Sequence, residues 1–201
     1  MTSIGRLLLF CALAIVCAQS FAQPASRRIR GDVTAIDGLK LSVVTRSGEN
    51  VAIDLDDKYV VTAVIPIDIS AIKPGAYVGT ASMPQPDGGQ RALEVLLLPE
   101  TARGSGEGHY PWDLQPGSMM TNATVAEIVD IDQARRMTLK YKDGEKTIIV
   151  PTGAPIVTLE PGERGMLVRG AHIIVSATQR PDGALTASRV TVGKNGLVPP
   201  M

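Results

Sequence analysis

Apolar and polar residues alternate with a period of two along much of this chain. Leu39, Leu41 and Val43 alternate with Lys40 and Ser42, and Val51, Ile53 and Leu55 with Ala52, Asp54 and Asp56. Further on, Met137, Leu139 and Tyr141 alternate with Thr138, Lys140 and Lys142. Successive side chains of a strand point to opposite faces, so this pattern gives one face to a core and the other to water. Asp37-Gly38, Ser47-Gly48, Asp87-Gly88, Asp143-Gly144 and Asp182-Gly183 punctuate these segments with residues suited to tight hairpin turns. The pattern predicts an all-β protein of antiparallel strands. Strands are expected near 30–36, 39–44 and 50–55, then an irregular segment with a short helical turn near 69–72, then strands near 76–83 and 90–98. The same order recurs near 124–131, 136–141, 146–150, 171–178 and 185–192.

The recurrence extends to residue identity. Pro74-Gly75-Ala76-Tyr77-Val78 matches Arg169-Gly170-Ala171-His172-Ile173, and the same offset of 95 carries Pro86-Asp87-Gly88 onto Pro181-Asp182-Gly183, Ala92 onto Ala187 and Val95 onto Val190. Gly48-Glu49 matches Gly144-Glu145 at an offset of 96. A constant offset that keeps the turn residues is the mark of an internal duplication. Three strands, a connector with a helical turn and two further strands is the order of a five-stranded Greek-key barrel of the OB type. Closure into a barrel also pairs the edge strands. The expectation is two tandem five-stranded OB-like Greek-key barrels with short helical turns, at 23–101 and 123–195. A Gly/Pro/aromatic linker at 102–122 joins them and a C-terminal tail, 196–201, follows. A pair of open β-sandwich-like units is the alternative.

Four segments carry a family resemblance: Gly31-Asp32-Val33, Ser47-Gly48, Ile72-Lys73-Pro74-Gly75-Ala76-Tyr77-Val78 and Pro86-Asp87-Gly88. With these the chain resembles a bacterial envelope domain-of-unknown-function family of small OB-like β-barrels, found singly or in tandem behind a signal peptide. The resemblance implies fold and compartment, and no catalytic residues.

The first 22 residues look like a signal peptide: Arg6 is their one charge, Leu7–Ala18 is apolar, and Ser20-Phe21-Ala22 offers small residues for cleavage. Neither Cys11, after Phe10, nor Cys17, after Val16, follows the small residue expected of a lipoprotein site. Removal of this segment takes both cysteines with it, a composition at home in a bacterial periplasm rather than in a disulfide-stapled extracellular domain. No later stretch has the apolar length of a membrane helix, so no stable membrane span is expected. Basic and acidic residues balance at 20 each, which excludes a bulk basic footprint for nucleic acid. Stacking aromatics on the strands are also missing, so no nucleic-acid partner is expected.

The linker holds the scarce residue types: the single Trp, one of two His, one of four Tyr and a Met pair. Ordinary linkers are polar and lack large rings. Tyr110 and Trp112 are therefore expected to pack against something, with three alternatives. They plug a groove between the barrels; they form an apolar floor with His109 and Asp113 as polar handles for a ligand; or they anchor another envelope protein. His109, Asp113, Met119, Met120 and His172 include ligand types suited to copper or zinc, but no metal-binding spacing is present. Ser105 lacks a nucleophile elbow, Gly104–Gly108 lacks the Lys-Ser/Thr of a phosphate loop, and Asp54, Asp56 and Asp57 suit a solvated turn. The expected function is a non-enzymatic periplasmic binding or assembly module. It would use His109, Tyr110, Trp112 and Asp113 to meet a small ligand or an envelope protein, with no cofactor. The alternatives are a copper- or zinc-binding protein using His109 with Met119 or Met120, and an envelope hydrolase.

Overall fold

The alternating segments are strands, and the turns between them fall at the Gly pairs. The structure, a computed structural model, describes residues 26–132 and 134–201; the expected signal peptide lies outside the described residues. Its strands are β1 (Ser26–Asp37), β2 (Lys40–Thr45), β3 (Asn50–Pro66), β4 (Tyr77–Pro84), β5 (Gln90–Ala92) and β6 (Val95–Leu97). Then come β7 (Gly108–Pro111), β8 (Met119–Ile131), β9 (Ala134–Tyr141), β10 (Gly144–Pro151), β11 (Ile156–Pro161), β12 (His172–Gln179) and β13 (Leu185–Gly193). Helix is confined to single 3-10 turns among the described residues. The one expected near 69–72 is Ile69–Ala71, where the Asp68 side chain accepts a hydrogen bond from the Ser70 amide and caps the turn.

A closed five-strand barrel runs β1–β2–β3–β13–β12 and back to β1. All of its pairings are antiparallel except β3 with β13. Inward residues of these strands, among them Ile29, Leu41, Ile53, Ile173 and Val190, make one core. A second circuit of pairings runs β8–β9–β10–β5–β4 and back to β8, again with one parallel step, β10 with β5. Val78, Val125, Met137, Leu139 and Ile148 fill it.

The strands are exchanged between the two halves of the chain. A barrel confined to residues 23–101, as the sequence order suggested, does not form: β1 and β3 close against β12 and β13, while β4 and β5 close against β8 and β10. The cause lies in β3. It was expected to end near 55 but continues to Pro66, 17 residues in all, a span of about 55 Å at ~3.3 Å per residue. Asp56-Asp57-Lys58 form an exposed bulge where the β13 register slips, and Tyr59, Val61 and Ala63 then resume the buried phase. The far end of β3 pairs with β11, and β11 pairs with β6, so one 13-stranded sheet runs through both circuits. β3 therefore delivers the chain out of its own barrel, and the β4–β5 hairpin closes the other circuit.

Exchange leaves the local bonding equivalent. Gly75 N–H donates to Val125 C=O at 2.7 Å and Val125 N–H to Ala76 C=O at 2.8 Å. In the other circuit Gly170 N–H donates to Val33 C=O at 2.8 Å and Val33 N–H to Ala171 C=O at 2.9 Å. The best-matched segments of the sequence thus occupy corresponding ring-closing places.

Gly31 marks how tightly β1 and β2 approach. A Cβ there would lie 2.1 Å from the Val44 carbonyl oxygen and 2.8 Å from the Thr45 Cα, whereas one on Gly165 would meet nothing within 4 Å. Gly31→Ala is expected to lower unfolding stability by on the order of 2–4 kcal/mol in urea, and Gly165→Ala by less than about 0.5 kcal/mol. Equal midpoints for the two variants would contradict the packing described.

Candidate functional site

Between the two circuits, where their outer walls face each other, lies a largely apolar cavity of about 230 Å³. Alternation puts Ile29 and Ile173 into the barrel core and turns Arg28, Ile174 and Thr191 outward onto one wall of the cavity. The opposite wall is the outer face of β4 and β8, with Gly79, Met120 and Asn122. Leu96, Leu98, Leu159 and Met201, from the bridge between the circuits and the chain end, supply most of the remaining apolar lining. Residues 196–201 are thus a packed strap. Leu197 and Met201 sit on the Val64, Leu96 and Val157 cluster, Arg30 Nε donates to the Met201 carbonyl at 2.7 Å and Arg46 Nη2 to the Pro199 carbonyl at 2.9 Å.

Part of the linker is ordered into β7, which pairs with the start of β8. Ser118 ties the intervening turn: its carbonyl accepts from Trp112 N–H at 2.8 Å, and its hydroxyl makes bonds to the carbonyls of Trp112 and Gln115 at 3.0 and 2.7 Å. Tyr110 and Trp112 pack edge to face, ring centroids 6.1 Å apart. The Asn122 amide donates to the Tyr110 hydroxyl at 3.0 Å. The Arg28 guanidinium lies 3.9 Å from the centroid of the Trp112 ring, a cation–π contact. Arg28 Nη1 and Arg30 Nη2 both donate to Asp113 Oδ1, at 2.6 and 2.8 Å. Burial pushes the Asp113 carboxyl up, but the Arg30 hydrogen bond and the Arg28 charge outweigh it and hold the group below the usual carboxylate range.

Of the four residues singled out in the sequence, then, Tyr110, Trp112 and Asp113 gather around Arg28. His109 does not join them. It pairs opposite Thr121, and its Nδ1 lies 2.8 Å from the Thr121 hydroxyl, on the other face of the hairpin from Tyr110. Its pKa is lowered by burial and by the Lys146 charge. Consecutive positions send Met119 and Met120 to opposite faces, and Met120 lines the cavity. His172 belongs to the other circuit, its Nδ1 2.6 Å from Asp32 Oδ1. Among the described residues no three His, Cys, Asp or Glu side chains gather at metal-binding range. Asp54 is engaged by Lys40 and Arg180 at 3.3 and 3.0 Å, and the Ser105 carbonyl accepts from the Tyr77 hydroxyl at 3.1 Å.

The residue that sequence reading passed over is Glu94. The expected strand near 90–98 is broken at Leu93 and Glu94, and Leu93 N–H donates to the Ala81 carbonyl at 2.8 Å. The break turns Glu94 out of the ladder and buries it completely on the cavity wall. Its Oε1 accepts from Ala81 N–H at 2.8 Å; among the described residues its Oε2 has no partner, and neither has the buried Nε1 of Trp112. Desolvation pushes the Glu94 carboxyl up to about 8 against the Ala81 hydrogen bond, so the group is a neutral acid near pH 7. Because Oε1 is the acceptor, the acid proton belongs on Oε2. Two buried groups, a carboxylic O–H and an indole N–H, thus belong to residues that line one apolar cavity. The available signal was a charged residue in phase with apolar Ala92 and Leu96.

No protein-family model, curated protein or solved structure matches the chain. Among the described residues no helix is long and apolar enough to cross a membrane.

Glu94 gives stability a definite pH slope. The folded state holds its proton up to about pH 8, while the unfolded chain releases it near the ordinary 4.5. Between these values the unfolded state binds fewer protons, so stability from this group falls as pH rises. Urea titrations are expected to show a decline across that window of the order of a few kcal/mol. Glu94→Gln should flatten it, and an unchanged slope in that variant would contradict the buried acid.

Proposed function

We propose that this protein is a non-enzymatic binding module of the bacterial envelope, built from two copies of an OB-like barrel that exchange their last two strands. Support for the two-copy reading comes from the constant sequence offset and from the matching hydrogen bonds of Gly75-Ala76 and Gly170-Ala171. Support for the compartment comes from the N-terminal apolar segment and the lack of cysteine after Cys17.

The observation that carries the binding role is the apolar cavity that Trp112 helps to line. Small-ligand sites are concave, mostly apolar and fitted with a few polar groups, and this one combines Leu96, Leu98 and Leu159 with Glu94 and Trp112. At about 230 Å³ it exceeds the roughly 150 Å³ engineered cavity that admits benzene. Arg28 stacked on the indole, and Asp113 holding Arg28, fix the ring at its rim. A ligand caught there touches both circuits and the strap, so capture also ties their relative position.

Ethylbenzene is a suitable probe of the cavity, and Trp112, the single Trp of the chain, supplies one indole N–H resonance on its wall. Saturable shifts of that resonance are expected with a dissociation constant on the order of 0.1–1 mM. Thr191→Phe, which fills the space from the opposite wall, should weaken this at least about tenfold while the chain stays folded. Equal binding by both proteins, or none by the native one, would contradict a ligand site here.

A further inference from the structure

The two unpartnered donors specify what the cavity accepts. We propose that it takes a small, uncharged molecule with an apolar body and one hydrogen-bond acceptor, a ketone, ester or ether oxygen, held by the Glu94 acid and the Trp112 indole. This rests on the cavity reading above and adds the chemistry of the occupant.

Three features of the site argue for that class. Glu94 lines the cavity fully buried, with one oxygen committed to Ala81 N–H and the other without a partner among the described residues. A buried polar group without a partner costs more than one that is paired, so an acceptor that meets these donors is favoured over an equally large hydrocarbon. Trp112 Nε1 is in the same condition on the same lining, and a carbonyl oxygen has two lone pairs to offer. Both orphan groups are donors, which selects an acceptor-bearing ligand over one that only donates.

Charge argues against an anion. Among the described residues Arg28 is the one cationic side chain of the lining, and it is already paired with Asp113 and stacked on the indole. The Met201 backbone oxygen on that lining accepts from Arg30 Nε at 2.7 Å. A carboxylate ligand would enter a space that holds Glu94 in its neutral form and would find no free cation to offset its desolvation. Glu94, pushed up to about 8, titrates between neutral and mildly alkaline pH, and its ionisation removes one donor. Affinity for an acceptor ligand should fall with rising pH.

The test compares acetophenone, ethylbenzene and benzoate, near-isosteres that differ in the handle, by calorimetry and by the Trp112 indole N–H resonance. Near about pH 6, acetophenone is expected to bind at least about tenfold more tightly than either of the others and to move the indole proton downfield. Raising the pH to about 9 should reduce that preference. Glu94→Gln keeps a donor and an acceptor, so it should retain the ketone preference and lose the pH dependence. Glu94→Leu should bind acetophenone and ethylbenzene alike. If native protein binds the two neutral probes equally, or benzoate best, the assignment of the handle is overturned while the cavity remains a ligand site. If none of the three binds, both the handle and the binding role fall. Retention of the ketone preference by Glu94→Leu, with the variant folded, also overturns the proposal.

Discussion

A barrel holds only when its first and last strands find each other, because an open sheet edge leaves a row of backbone donors and acceptors unpaired. Here the partners of β1 and β3 come from the far end of the chain: Ile29 pairs opposite Val175, and Ile53 runs beside Leu185. The parallel β3–β13 ladder is the step that cannot be made by a hairpin, since parallel strands need a long crossover. In this protein the crossover is everything between Pro66 and Leu185, including the second circuit of strands. The two circuits are consequently linked by covalent chain passing between them several times, and neither can close without residues from both halves.

That topology explains where the cavity is. β3 leaves its barrel to pair with β11, and β11 reaches β6, so the sheet continues across the gap between the circuits. Outward-facing residues of two curved walls cannot pack flat against each other. Leu96, Leu98, Leu159 and the strap residues fill part of the gap and leave the rest as a pocket. The β5–β6 break then places a carboxylic acid on its wall, and the β7–β8 hairpin places the indole. The site is thus a product of the exchange: Glu94 is positioned at the β5–β6 break and Trp112 at the end of the β7–β8 hairpin, both beside the junction.

Much of the strand content was readable from residue order. Period-two alternation located β2, the start of β3 and β9, the recurring order placed β10 and β13, and the Asp-Gly pairs located turns between them. Which strands pair was not readable, and the reason is physical. Matched segments such as Gly75-Ala76 and Gly170-Ala171 present the same edge and the same inward face, so closure within a half and closure across halves bury the same side chains. What separates them is the extension of β3 beyond Leu55, and the polar run Asp56-Asp57-Lys58 hides it because the bulge there is exposed. Around the candidate site, the rarity of Trp112 and Tyr110 pointed to the β7–β8 hairpin, where Asp113 holds Arg28. His109 fell on the opposite face because adjacent strand positions cannot share one. Glu94 was masked by a short apolar run in which a strand break, invisible in the pattern, turns one residue sideways.

The exchange itself is open to a direct chemical test. Cross-strand neighbours in an antiparallel ladder lie within disulfide reach. Ser26 pairs opposite Thr178, whereas closure within the first half would set Ser26 opposite Met83, which stands to Thr178 at the sequence offset of 95. In a chain with Cys11 and Cys17 changed to Ser, Ser26→Cys with Thr178→Cys should oxidise rapidly to an intramolecular disulfide, and Ser26→Cys with Met83→Cys should remain reduced. The reverse result would contradict the exchanged barrel and, with it, the origin assigned to the cavity.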